Sequence, residues 1–264
     1  MIVRIDEADD PRLEPYRAVR ERDLVGRDGL FVAEGRVVLE KAVHAGTALQ
    51  SVLIAEHRLE SLADVLTSLP AETPVFAAPQ AVMDGIVGFP IHRGVLAIGG
   101  SPRREVGELL DGLPARALVV GLVGIANHDN MGGVFRNAAA FGADAILLDD
   151  TCCDPLYRKA IRVSVGAVLT VPFARAGGAG DMTEGLKARG FEVMALSPRG
   201  DVELKDLPRA PRAAALFGAE GPGLPTGVMA SARGVRIAMS GGFDSLNVAT
   251  TSGIVLHHLT VLSN

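Results

Sequence analysis

Tryptophan is absent from the 264 residues, and only two tyrosines and nine phenylalanines occur. The core therefore has to be assembled from alanine, valine, leucine and isoleucine, a palette that suits parallel strands buried on both faces. Cysteine is nearly missing too, and the two thiols, Cys152 and Cys153, are neighbours. Adjacent cysteines do not form an ordinary structural disulfide, and two are too few for a closed zinc site, so a reducing cytoplasm is expected rather than secretion. Long apolar runs are lacking: residues 117–126 form the longest, too short for a bilayer and readable as a buried strand. The beginning of the chain turns acidic at Asp6 and Glu7 without an apolar signal region. A soluble protein with no membrane partner is the expectation.

A strong charge of either sign is absent as well, the net value being −5. That balance is uneven, because residues 1–113 hold 12 basic and 18 acidic side chains while the remainder holds 14 and 13. Phosphate binding depends on local patches rather than totals, and Arg12, Arg17, Arg20, Arg22 and Arg27 crowd one N-terminal stretch. The same stretch also reads as a solvated helix of alternating arginine and glutamate.

What is present is an alternation of short apolar runs with amphipathic stretches. Strands are expected at Leu30-Phe31-Val32, from Ser51 to Ala55, at Val75-Phe76-Ala77 and from Gly94 to Ile98. Helices are expected from Arg36 to Ala45, Leu59 to Leu69 and Pro79 to Val87. These make an α/β module over residues 1–98. Gly99-Gly100-Ser101-Pro102-Arg103-Arg104 is the most linker-like stretch, so residues 99–113 are assigned to a linker.

From 114 to 264 a second domain is expected. Its strands are Ala117 to Val123, Ala145 to Leu148, Glu192 to Ala195, Ala213 to Phe217 and Val235 to Ala238. Its helices are Met131 to Phe141, capped by Asn130, then Pro155 to Arg162, Met182 to Arg189, Pro225 to Ala232 and Asn247 to Leu262. Alternating strands and helices predict an α/β fold with a mostly parallel sheet covered on both faces.

Common chemical signatures fail. After the strand at 117–123 the chain runs Gly124-Ile125-Ala126-Asn127-His128, which is not the dinucleotide spacing; no phosphate loop occurs; and Ser164 lacks the glycines of a nucleophile elbow. His257-His258 has no carboxylate at metal-ligand spacing and reads as packing or subunit contact, and no metal is expected. Cys152 and Cys153 read as packing residues. Three other segments place glycines and amides where strands end or helices begin: Asn130-Met131-Gly132 leading to Arg136, Gly218-Ala219-Glu220-Gly221-Pro222-Gly223, and Ser245-Leu246-Asn247. Tight turns expose main-chain N–H and C=O groups, so together they can wall a pocket for a polar ligand.

Asn130 to Ala138 resembles the first motif, N-x-G-x-x-x-R-x-A, of the SpoU (TrmH-like) family of RNA ribose 2′-O-methyltransferases in the SPOUT superfamily. Leu216 to Leu224 resembles the second motif, Ile237-Ala238-Met239 with Ser245 to Ala249 the third, and Arg162 to Ala167 a further common stretch. Phe31 to Arg36 and His92 to Val95 are similar to parts of the family's substrate module. The chain departs from the pattern at His128-Asp129, where relatives commonly carry Asp-Pro. Loss of that proline is expected to loosen the loop and to bear on substrate preference.

The resemblance implies a SPOUT-type α/β domain with a C-terminal trefoil knot, joined to a smaller N-terminal α/β RNA-binding module. It implies a homodimer whose subunits complete each other's sites, acting on ribosomal or transfer RNA. The implied cofactor is S-adenosylmethionine, held near Phe217, Gly218, Ala219, Leu224, Ile237, Met239 and Leu246, with Gly218, Gly221 and Gly223 allowing its close approach. Arg136 becomes the residue that acts on the ribose hydroxyl, with Asn130, Glu220, Ser245 and Asn247 around it, and Glu220 positions Asn130 or Arg136. Arg158, Lys159 and Arg162 on the catalytic domain, with Arg36 and Arg93 in the module, are the implied RNA contacts. A guanidinium is a poor base, so orientation of the ribose and stabilisation of developing oxyanion charge suit Arg136 better than proton removal. A ribosome-associated RNA-binding protein of the same fold without catalysis is the competing reading; the intact set of five polar residues argues against it.

Overall fold

A computed structural model of the chain describes residues 2–17, 29–88, 91–101, 104–208, 210–241 and 245–261. Arg20, Arg22 and Arg27 of the N-terminal arginine cluster, and Pro102-Arg103 of the linker, lie outside the described residues. The chain forms two compact units, one of residues 1–102 with 154–170, the other of residues 103–153 with 171–264.

In the first unit, strands β1 (Ile2–Arg4), β2 (Leu30–Glu34), β3 (Leu49–Ala55), β4 (Val75–Ala78) and β5 (Val95–Gly100) form one sheet in the order β1-β4-β3-β5-β2. The pairings β1–β4 and β4–β3 are parallel, whereas β5 runs antiparallel to both β3 and β2. β1 was not expected from the sequence; its three residues alternate exposed and half-buried, too short and too mixed to stand out. The helix expected at 59–69 resolves into one 3₁₀ turn, Glu60–Leu62, and a short helix, Ala63–Thr67. Tyr16, Val32, Leu53, Phe76, Met83, Leu96 and Ile98 fill this unit's core.

In the second unit, seven strands lie all parallel: β6 (Ala117–Leu122), β7 (Ala145–Leu148), β8 (Phe173–Arg175), β9 (Glu192–Leu196), β10 (Val202–Glu203), β11 (Arg212–Phe217) and β12 (Arg233–Arg236). Their order is β10-β12-β9-β11-β6-β7-β8. Side chains alternate across the sheet as the period of two requires. Val119, Leu147, Ala195 and Leu216 enter a core with Leu109, Met182 and Leu186, while the alternate residues Val120, Leu122, Ile146, Leu148 and Phe217 are equally buried. Burial on both faces explains the unbroken apolar strands. β8 and β10 escaped the sequence reading because they have three and two residues.

Residues 154–170 correct the expected boundary: they pack in the first unit, not with the domain that precedes and follows them. The helix Arg158–Val163 packs beside β2, and Arg158 Nε lies 3.2 Å from Glu34 Oε2 with both side chains largely buried. No helix of the described residues is long and apolar enough to cross a membrane.

Candidate functional site

The C-terminal ends of parallel strands are where an open α/β sheet leaves a crevice, and here they carry all three expected segments. β6 leads to the helix His128–Ala140, β11 to the loop 218–225, and β12 to the segment that reaches the terminal helix Val248–Val261. The first helix begins three residues earlier than expected, because Asn127 rather than Asn130 is its N-cap. The Asn127 side-chain oxygen accepts from the backbone N–H of Asp129 (2.7 Å) and Asn130 (3.3 Å). His128 and Asp129 thus sit in the first helical turn, and the missing proline leaves no loosened loop.

Freed from capping, Asn130 is buried and turned inward. Its amide donates to Glu220 Oε1 at 2.9 Å, and its side-chain oxygen accepts from Asn247 Nδ2 at 2.8 Å. Asn247 Nδ2 also lies 3.3 Å from Glu220 Oε1, while Asn247 Oδ1 accepts from the N–H groups of Ala249 and Thr250, opening the terminal helix. One residue from each segment therefore meets in a closed clasp. Glu220 positions Asn130 and Asn247, and no hydrogen bond or ion pair joins it to Arg136. Further along the same two helices, Asn137 Nδ2 donates to Ala249 O (2.6 Å) and Ser252 Oγ (2.9 Å).

Beside the clasp opens a cavity of about 1260 Å³ whose lining includes Phe217, Gly218, Ala219, Leu224, Ile237, Met239 and Leu246, every residue expected to hold a cofactor. Glu220, Ser245 and Asn247 line it as well; Asn130 and Arg136 do not. Arg136 is exposed, with no hydrogen bond or ion pair to any described residue. The glycines of the second segment differ in what their backbone requires. Gly221 and Gly223 have φ of +88° and +72°, and a Cβ at either would meet open space. A Cβ at Gly218 would instead collide with the backbone of Gly223 and Leu224. The loop folds onto itself, closed by Gly223 N–H donating to Ala219 O at 3.0 Å, so Gly218 is required by the loop's own turn.

The sequence reading missed one wall, the turn Ser197-Pro198-Arg199 after β9, together with Thr226, Met229 and Thr251. The serine-proline-arginine-glycine run at 197–200 was the available signal.

The expected RNA contacts fare unevenly. In the first unit Arg36 is held by Glu40 (2.6 Å), Asp64 (2.5 Å) and the carbonyl of Ser61, and Arg158 by Glu34. Arg158 and Arg36 are thus spoken for by their own unit. Arg93 is exposed with its stem against Gly35; Lys159 and Arg162 are exposed one helical turn apart. Cys152 is buried, its Sγ accepting from Ile125 N–H and donating to Leu122 O at 3.3 Å each, and burial pushes its thiol up to about 12. His257 stacks edge-on against Phe141 at 5.6 Å, and burial lowers His258 below the ordinary histidine value. Among the described residues no cluster of histidine, cysteine or carboxylate side chains is placed to hold a metal ion.

The model of the SpoU rRNA methylase family matches residues 117–257, which contain the whole clasp and cavity. The chain belongs to this family. It is 38% identical to an uncharacterised tRNA/rRNA methyltransferase of Mycobacterium tuberculosis over 96% of this chain and 90% of that protein. Its fold is similar to a solved RNA 2′-O ribose methyltransferase at TM-score 0.80, 26% identical, covering 97% of this chain and 98% of the other. An AdoMet-bound rRNA methyltransferase from Sinorhizobium meliloti gives TM-score 0.84 at 24% identity, covering 98% and 97% of the two chains, a likeness of fold.

Proposed function

We propose that this SpoU-family methylase transfers the methyl group of S-adenosylmethionine to a ribose 2′-hydroxyl in structured ribosomal or transfer RNA. The observation that carries the reading is the Asn130–Glu220–Asn247 clasp at the rim of the cavity, which ties the three family segments into one site. The cavity's own chemistry fits the cofactor. Leu224, Met229, Val235 and Ile237 offer apolar walls, the loop 218–223 offers turned main chain, and one carboxylate and one guanidinium suit a molecule bearing charges of both signs.

When bound, S-adenosylmethionine supplies a methyl on a cationic sulfonium, so transfer to the ribose oxygen leaves a neutral thioether and releases the hydroxyl proton. Glu220, fixed by two amide donors, contributes negative charge near that cation. Asn130 and Asn247 hold the loops at the rim, and Leu246 and Met239 exclude water from the cavity. Arg136 orients the ribose and stabilises the developing oxyanion, while the proton passes to an RNA phosphate or to water. Arg136 stands outside its own cavity's lining, which supports a homodimer where each chain presents this residue to its partner's site. The further proposals are a trefoil knot formed by the C-terminal segments and a cytoplasmic location. RNA is held through exposed Arg93, Lys159 and Arg162.

Incubation with methyl-labelled S-adenosylmethionine and bulk ribosomal and transfer RNA tests the reaction, since ribose methylation protects the adjoining phosphodiester from alkali. Alkali-resistant labelled dinucleotides are the expected result; label confined to bases would refute ribose transfer, and binding of RNA without label would favour the non-catalytic reading.

A further inference from the structure

Two charged side chains stand among the described residues lining the cavity, Glu220 and Arg199. Glu220 is engaged by Asn130 and Asn247. Arg199 is exposed, and its guanidinium makes no hydrogen bond or ion pair with any described residue. Its backbone, by contrast, is clamped. Ser197 N–H donates to Val235 O (2.9 Å), Arg199 N–H to Ser197 Oγ (3.2 Å), and Gly200 N–H to Ser197 O (3.0 Å). From β12, Arg236 Nη1 donates to the carbonyls of Gly200 (2.7 Å) and Asp201 (3.1 Å), and any Cβ at Gly200 would collide with the backbone of Val235. The turn is thus pressed against the neighbouring strand while the arginine it carries is left over.

An arginine whose main chain is fixed and whose fork is unclaimed can bind an anion at reduced entropic cost, and a planar guanidinium matches a carboxylate through two parallel hydrogen bonds. Adenine and ribose are neutral, and the sulfonium and α-ammonium groups are cationic. The methionyl carboxylate is the cofactor's one anion. We infer that Arg199 anchors the methionyl carboxylate of S-adenosylmethionine and so sets the direction in which the amino-acid arm leaves the cavity. The inference rests on the proposed cofactor and adds to it a determinant of which adenosyl compounds the site accepts.

Calorimetric titration of the full chain and of Arg199→Ala and Arg199→Lys tests it without turnover, using S-adenosylmethionine, S-adenosylhomocysteine, decarboxylated S-adenosylmethionine and 5′-methylthioadenosine. Loss of a charge-assisted pair predicts that Arg199→Ala weakens the first two ligands by about 10- to 100-fold. The two compounds without a carboxylate should bind the original protein and the variant alike, and Arg199→Lys should recover part of the loss. An equal loss for all four ligands would assign Arg199 to the turn or the adenosine and overturn the inference. So would unchanged cofactor affinity with weakened RNA binding, which would make Arg199 a phosphate contact. If the original protein bound none of the four, the cofactor reading itself would fall; if it bound them without any dependence on Arg199, only the anchor would.

Discussion

The ion-paired arginines of the first unit and the two arginines nearest the second unit's site are treated in opposite ways. In the first, Arg4 pairs with Glu56, Arg36 with Glu40 and Asp64, and Arg158 with Glu34, so prominent cations are spent on holding the unit together. In the second, Arg189, Arg233 and Arg236 are paired with Asp111, Glu192 and Glu203, whereas Arg136 and Arg199 have no partner among the described residues. An arginine that already has carboxylates is neutralised and geometrically fixed, whereas an unpaired one keeps its charge for a ligand. A basic residue in a family-like motif is therefore no guide to binding until its neighbours are known. Arg36 and Arg136 both fall in stretches that resemble the family, yet Arg36 is held by Glu40 and Asp64 whereas Arg136 has no partner among the described residues.

The sharpest way to break this contrast is Arg136→Ala. Loss of the cation proposed to face developing negative charge predicts a fall in methyl transfer of about a hundredfold or more. Calorimetric cofactor affinity and thermal stability should stay close to the original, because no described residue bonds to this side chain; retained turnover would remove Arg136 from the reaction.

Next in size is Gly218→Ala. Overpacking against the Gly223–Leu224 backbone should cost about 1–3 kcal/mol in chemical denaturation and reduce cofactor affinity. A fully stable variant that binds normally would show that the second segment does not need its self-folded turn.

Asn247→Ala removes a cap and the partner of a buried amide oxygen, with an expected loss of about 1–2 kcal/mol in urea. In the first unit Arg158→Ala strands a largely buried Glu34 carboxylate and should cost a similar amount. Recovery in the double variant Glu34→Gln/Arg158→Ala would identify the pair as structural; a specific loss of RNA affinity at unchanged stability would instead return Arg158 to the RNA surface.

The smallest effects belong to exposed charges. Arg36→Ala should lower stability by less than about 1 kcal/mol, whereas Arg162→Ala should reduce the slope of log affinity against log salt by about 0.7–0.9 in filter-binding titrations. Equal slopes for both variants would erase the distinction between spent and free cations.

Much of the catalytic unit was legible from local pattern. Strands such as Ala117–Leu122 and Arg212–Phe217 announce themselves because burial on both faces demands unbroken aliphatic runs, and Gly221 and Gly223 mark a turn because few residues tolerate positive φ. What escaped notice was short or non-local: β1, β8 and β10, the Asn127 cap, and the Ser197-Pro198-Arg199 wall, whose importance depends on a strand nearly forty residues away. The membership of residues 154–170 in the first unit was equally hidden. Nothing in that segment's composition tells it apart from the domain around it, and only its packing beside β2 does.

The sequence by itself determined the alternation of buried strands and helices, the family and the identity of the residues at the site. Tertiary structure decided their roles. Asn130 became a bridge because Asn127 took the cap, Glu220 became the partner of two amides rather than of Arg136, and Gly218 became a requirement of its own loop. Arg158 became half of an ion pair while Arg199 was left without a partner among the described residues. The physical reason is that a side chain's chemistry depends on which groups already satisfy its charge and hydrogen bonds, and those groups lie tens of residues away until folding brings them within 3 Å.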